Sequence, residues 1–195
     1  GEQVVAVTTS ATIEVKRVLY SVPARLIGER LRLHVFDERI EAFIGATKAL
    51  TLPRVYSVNH ERARRIDYRH LIGALARKPQ AFRYSQLRED LLPNATYRAI
   101  WQHLDSQLEP RAACKRIVGI LALAARADCE QALGTYLLAQ IAAGTLPTLT
   151  ALESRFEERD GASTQADFHS LASTQHPLSS YDQLLPAHGQ AMELH

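Results

Sequence analysis

Residues 60–70 read HERARRIDYRH and set four arginines, Arg62, Arg64, Arg65 and Arg69, in a short stretch of a chain whose formal net charge is only +2. A guanidinium keeps its charge at any physiological pH, and its planar fork of N–H donors matches the oxygens of a phosphate. Clustered arginines are therefore suited to gripping a phosphate backbone and releasing its counterions. Arg77, Lys78 and Arg83 extend the basic track downstream, and Lys16, Arg17, Arg25, Arg30 and Arg54 offer a further set upstream. The other reading of the cluster is a solvated charged linker, with some arginines paired to Glu61 or Asp67. Neither reading implies base recognition, since phosphate contacts position a protein without specifying sequence.

Groups for covalent or metal chemistry are sparse. Asp37, Glu38 and Glu41 form the tightest acidic group of the first third. Two-metal phosphoryl transfer needs carboxylates converging on ions about 4 Å apart. These three fall in and beside a turn, where acids are favoured as turn formers. Phosphate-cradling glycine loops and the HExxH zinc pattern are missing from the sequence. His70 and His103 read as hydrogen-bonding residues rather than ligands. Cys114 and Cys129 have neither a disulfide framework nor a metal spacing and read as reduced thiols. No catalytic residue, metal ligand or cofactor is therefore assigned within the chain.

Charge is distributed unevenly. Residues 1–130 hold 21 Lys and Arg against 14 Asp and Glu, whereas residues 131–195 hold 2 against 7. A basic body with an acidic end points to a polyanionic partner for the body. No run of apolar residues is long enough to span a bilayer, and the N-terminus carries no signal-peptide pattern. The chain starts without Met on strand-like sequence, so a fragment of a longer protein is expected.

The elements that must position these cations fall into an α+β pattern. Residues 1–58 alternate with period two: Ile13 and Val15 against Glu14 and Lys16, then Leu31, Leu33 and Val35 against Arg30, Arg32 and His34. Turns at Asp37-Glu38 and Gly45-Ala46 and a closing Pro53 predict a small β-barrel. Residues 59–66 read as a basic linker. Residues 67–158 read as a helical domain. Asp67 is an N-cap, Tyr68, Leu71, Ile72 and Leu75 make one apolar stripe, and Pro79 is a stop. Tyr97, Ile100, Trp101, Leu104 and Leu108 line one face of the next long helix, and Pro110 fits the first turn of another. Asp128 opens a further helix, Gly144 closes it in a left-handed cap, and Thr150 with Glu153 echoes a capping box near a last start at Thr148. The Ala- and Leu-rich helices could form a private core or contacts between subunits. Residues 159–195 lack a period and are expected to be a largely disordered tail. Within it Tyr181, Leu184 and Leu185 form an apolar island that is either incidental or a partner-docking motif.

Several phrases in this order resemble IstA transposases, the larger protein of two-gene bacterial insertion sequences. They are LYSVPARLIGERLRLHVFDERIEAFIGATKALTLPR, RRIDYRHLIGALARKPQAFRYSQLREDLLP, CKRIVGILALAARADCEQALGTYLLAQIAAGTLPTL and, more loosely, YDQLL. Tyr20 to Pro23, Leu26-Ile27-Gly28 and Pro53-Arg54 match the entry, turn and close of that family's barrel, itself similar to that of phage Mu transposase. The resemblance implies a C-terminal portion of such a transposase. An upstream Asp-Asp-Glu core would use Mg²⁺, and no residue here inherits a catalytic role. It further implies transposon-end DNA, other transposase subunits and an IstB-type ATPase as partners, and a bacterial cytoplasmic, nucleoid-associated location. Two functions follow as expectations: DNA binding and assembly, or recruitment of the ATPase without DNA contact.

Overall fold

Alternating side chains of the first third produce strands with one buried and one wet face. The computed structural model describes residues 1–57 and 63–157. The strands are β1 (Glu2–Ala6), β2 (Thr12–Val15), β3 (Val18–Ser21), β4 (Arg30–Val35), β5 (Arg39–Ile44), β6 (Thr47–Pro53) and β7 (Ala63–Arg65). On β4, Leu31, Leu33 and Val35 are buried while Arg30 and Arg32 face solvent. On β2, Ile13 and Val15 are buried and Glu14 is exposed. A four-stranded antiparallel sheet runs β1-β4-β5-β6, and a three-stranded sheet runs β2-β3-β7, with β7 parallel to β3. Their inner faces share one core, including Ile13, Val15, Tyr20, Leu31, Leu33 and Ile40.

The two sheets do not close into the barrel that the sequence predicts. Both edges of β3 are occupied, by β2 and β7, and β6 pairs with β5 alone among the described strands. β6 ends on Pro53, which has no N–H to offer a ladder. Beyond it the Tyr20 hydroxyl accepts from the Val55 N–H at 2.9 Å and donates to the Val55 carbonyl at 3.2 Å. A side chain stands where closure would require paired backbone.

The stretch TIEVKRVL, read as continuous strand, is a hairpin. Val15 faces Val18, and Lys16 and Arg17 form the two-residue turn with φ of 47° and 67°. The expected basic linker also carries structure, because Ala63–Arg65 pair with Val18–Tyr20. Arg62 lies outside the described residues.

Helical periodicity then takes over in α1 (Ile72–Arg77), α2 (Ala81–Tyr84), α3 (Arg88–Leu91), α4 (Ala95–Gln107), α5 (Pro110–Arg126), α6 (Glu130–Ala142) and α7 (149–157). The Asp67 carboxylate accepts from the Arg69 N–H at 3.0 Å and caps a 3-10 turn over Tyr68–His70. Asn94 caps α4 through the Tyr97 N–H, and Pro110 occupies the first turn of α5. Gly144 has φ of +75° after α6. Thr148, rather than Thr150, caps α7, accepting from the Ala151 N–H at 3.3 Å. Tyr97, Ile100, Trp101 and Leu104 are buried together with Ile117, Ile120, Leu121, Leu133 and Leu137. Much of the Ala- and Leu-rich sequence thus fills the chain's own core. Leu19 of β3 and Ile66 pack on this second core, and Gly1–Phe156 form one compact unit. The predicted tail, with Tyr181, Leu184 and Leu185, lies outside the described residues.

Candidate nucleic-acid interface

The arginine stretch lies at a seam between sheet and helices, and polar bonds lock the seam. Ser21 at the end of β3 is buried. Its hydroxyl oxygen accepts from the Asp67 backbone N–H at 2.8 Å and lies 2.9 Å from His70 Nδ1. The same hydroxyl lies 3.4 Å from the Asp67 carbonyl, to which it can donate, and the roles in its contact with Nδ1 follow the tautomer of the His70 ring. Tyr68, also buried, donates through its hydroxyl to Glu130 Oε2 at 2.9 Å. Burial and then the Glu130 carboxylate push the Tyr68 hydroxyl pKa well above its ordinary value.

Beside this seam opens a cleft of about 430 Å³. Arg64, Arg65, Arg69 and Arg98 line it, together with the carboxylates of Asp67, Asp90 and Glu130. Arg64 donates to Asp90 at 3.1 Å. Arg69 donates to Glu130 at 3.1 Å and lies 3.6 Å from Asp67. Such half-exposed pairs contribute roughly 0.2–1 kcal/mol each, so their main effect is to fix the guanidinium groups in place. An arginine has five N–H donors, so one held by a single carboxylate oxygen keeps others for a second anion. Arg65 and Arg98 are exposed and have no carboxylate partner among the described residues. The cleft therefore carries four guanidinium groups against three carboxylates.

The remaining predicted cations do not converge there. Arg83 is turned inward. It pairs with Asp105, which holds it in the charged form, and lies over the Trp101 ring at 5.4 Å. Arg54 is only 14% exposed; it donates to the Phe36 carbonyl at 2.6 Å and stacks on the Tyr56 ring. Lys16 and Arg17 project from their hairpin tip beside a separate hollow that Arg54 and Tyr56 share. Arg25 and Arg30 are exposed on the sheet half and do not line the cleft. Arg77 and Lys78 project at the corner between α1 and α2. Arg98 was missed from sequence, because on α4 it reads as one more solvated residue beside the buried Tyr97.

Among the described residues no group of three His, Cys, Asp or Glu is placed to hold a metal ion. Glu41, held low in pKa by its bond from Arg39 at 2.9 Å, belongs to a surface pair. No helix among the described residues is long and apolar enough to cross a membrane. Cys114 is buried and Cys129 partly so, without a disulfide.

No family model matches the chain, and no solved structure matches it. A curated protein of Sinorhizobium fredii (strain NBRC 101917 / NGR234) is 40% identical over 158 residues, covering 80% of this chain. It is described as uncharacterized protein y4jA/y4nE/y4sE, and the matched part is 31% of its length. The chain thus spans about a third of that relative.

The seam has a pH signature. Burial lowers the His70 pKa more than Asp67 and Ser21 raise it. The folded ring therefore loses its proton at lower pH than an unfolded histidine, near 6.5. Above that value the ring is neutral in both states and the full stability is present. As pH falls below about 6.5 and through the lower folded value, the unfolded state binds more protons and stability is lost. Urea unfolding at pH 7.5 and pH 5.5 is expected to show a larger loss for the native chain than for His70→Gln. Equal losses in both would remove His70 from the seam's energetics.

Proposed function

We propose that this chain is a non-catalytic, DNA-backbone-binding and assembly region of a transposase similar to the IstA type. The observation that carries the reading is the junction cleft, where Arg65 and Arg98, without a carboxylate partner among the described residues, stand beside the fixed Arg64 and Arg69. A duplex presents about one negative charge per 1.7 Å of its axis, so a seam that holds several guanidinium groups at fixed positions suits it. Fixed donors also lower the ordering cost of binding. Arg54, Arg64, Arg69 and Arg83, all engaged with the chain's own groups, contribute less to the contact than the sequence implied. In this reading the region holds transposon-end DNA beside a catalytic core supplied by the rest of the protein, in company with other transposase subunits and an IstB-type ATPase.

The test is a titration of duplex DNA at several salt concentrations with the chain carrying Arg65→Ala and Arg98→Ala. Loss of two phosphate contacts is expected to flatten the slope of log K against log salt by about 1.8. An unchanged slope would exclude the junction cleft as the contact.

A further inference from the structure

A second basic cleft lies away from the junction. Its volume is about 570 Å³, and its lining brings together Arg77 and Lys78, from the corner that ends α1, with Arg111 and Lys115, from the first turns of α5. The sequence separates the two pairs by more than thirty residues, and only the packing of α1 against α5 joins them. All four are exposed. Among the described residues no carboxylate lines the cleft, and none of the four has a carboxylate partner. Arg77 reaches only the carbonyl of Gly73, at 3.4 Å. The acid nearest in sequence, Glu109, precedes α5 and does not border the cleft.

Four like charges around one hollow repel one another, and such a group favours the compact chain only when an anion enters. Counted over the described residues, the junction cleft holds four cations against three acids, and this one holds four against none. The nature of the anion follows from the rest of the lining. Besides the cations it consists of Ala76, Pro79, Gln80 and Ala81. Pockets for small organic ligands are largely hydrophobic and aromatic. This one has no ring on which a base or nucleoside could stack, so its ligand is recognised by charge alone. Glu109 makes no side-chain cap on α5, so the N-terminal turn adds its own weak preference for an anion without creating the site.

We propose that the cleft of Arg77, Lys78, Arg111 and Lys115 is a second phosphate-backbone site for the nucleic acid held at the junction. The inference rests on the reading of the chain as a DNA-backbone binder and extends it to α5. The two sites together give the duplex a track along one compact unit rather than a single grip.

The deciding experiment uses the full chain with Arg111→Ala and Lys115→Ala, titrated against a duplex at several salt concentrations. Alanine suits an exposed helical position, so folding is expected to survive, with a thermal melt as the check. The salt slope is expected to flatten by about 1.8, and by about 3.6 when Arg65→Ala and Arg98→Ala are added, because distant sites combine independently. The charge-keeping exchange Arg111→Lys with Lys115→Arg should retain the native slope. A native slope in the alanine variant, while the junction variant still flattens it, would overturn the second site and leave the proposed function standing. An equal loss in the charge-keeping variant would also overturn it, since charge would not be the cause. A native chain with no salt-dependent binding would overturn both readings together.

Discussion

Replacing Lys16 with Asn and Arg17 with Gly is expected to raise the melting temperature by about 4–8 °C. Both residues occupy left-handed backbone at the tip of the β2–β3 hairpin. For an ordinary L-residue that conformation costs roughly 1–2 kcal/mol. Two-residue hairpins of this kind prefer Asn-Gly, because asparagine tolerates the conformation and glycine has no Cβ to clash. The exchange should therefore recover about 2 kcal/mol in total. A turn built from two long cations instead of Asn-Gly retains its strain when the cations have a use outside the fold. Lys16 and Arg17 are exposed, with Arg54 and Tyr56 beside them. If they contact phosphate, the same variant flattens the salt slope by about 1.8. Thermal melts and DNA titrations on one preparation separate the two effects. A rise in stability with an unaltered slope would mean that the tip touches no DNA.

The second large effect is a loss of stability from Glu130→Ala. The Glu130 carboxylate accepts from the Tyr68 hydroxyl and from Arg69, and it lies in the first turn of α6, where an acid complements the helix. Removing it leaves the hydroxyl of a buried tyrosine without its acceptor and releases Arg69 from its strongest anchor. An orphaned buried donor costs about 1–3 kcal/mol, and the helix-terminus charge adds about 0.3–1 kcal/mol. A total near 2–3 kcal/mol is expected, after allowance for the partial exposure of the carboxylate. Glu130→Gln keeps an acceptor for Tyr68 and should lose less. Chemical denaturation of the three proteins checks the order. Equal stability of native and alanine forms would show that the seam is not held through Glu130.

These two cases also mark where the sequence was readable. Period-two alternation located the buried faces of β2 and β4, and the 3.6-residue stripe located Tyr97, Ile100, Trp101 and Leu104, because burial itself creates those patterns. The Lys16-Arg17 turn was invisible, because its residues lack the glycine and asparagine chemistry that announces a hairpin. Barrel closure was overread for a related reason. Strand count does not reveal that β7 takes the open edge of β3, nor that the Tyr20 hydroxyl replaces a ladder at Val55. The arginine cluster was legible as a place but not as a charge balance. Asp90 and Glu130 approach Arg64 and Arg69 from 26 and 61 residues away, a proximity that only packing creates. For the same reason Arg98, Arg111 and Lys115 carried no signal of their own.

The most direct measurement is the salt dependence of binding between the native chain and a duplex of arbitrary sequence. With two contacts at the junction and two at the cleft between α1 and α5, log K is expected to fall against log salt with a slope of about −3.6 or steeper, alike for unrelated sequences. Binding that is absent at low salt, or that persists unchanged as salt rises, would contradict the claim that this chain grips a nucleic-acid backbone.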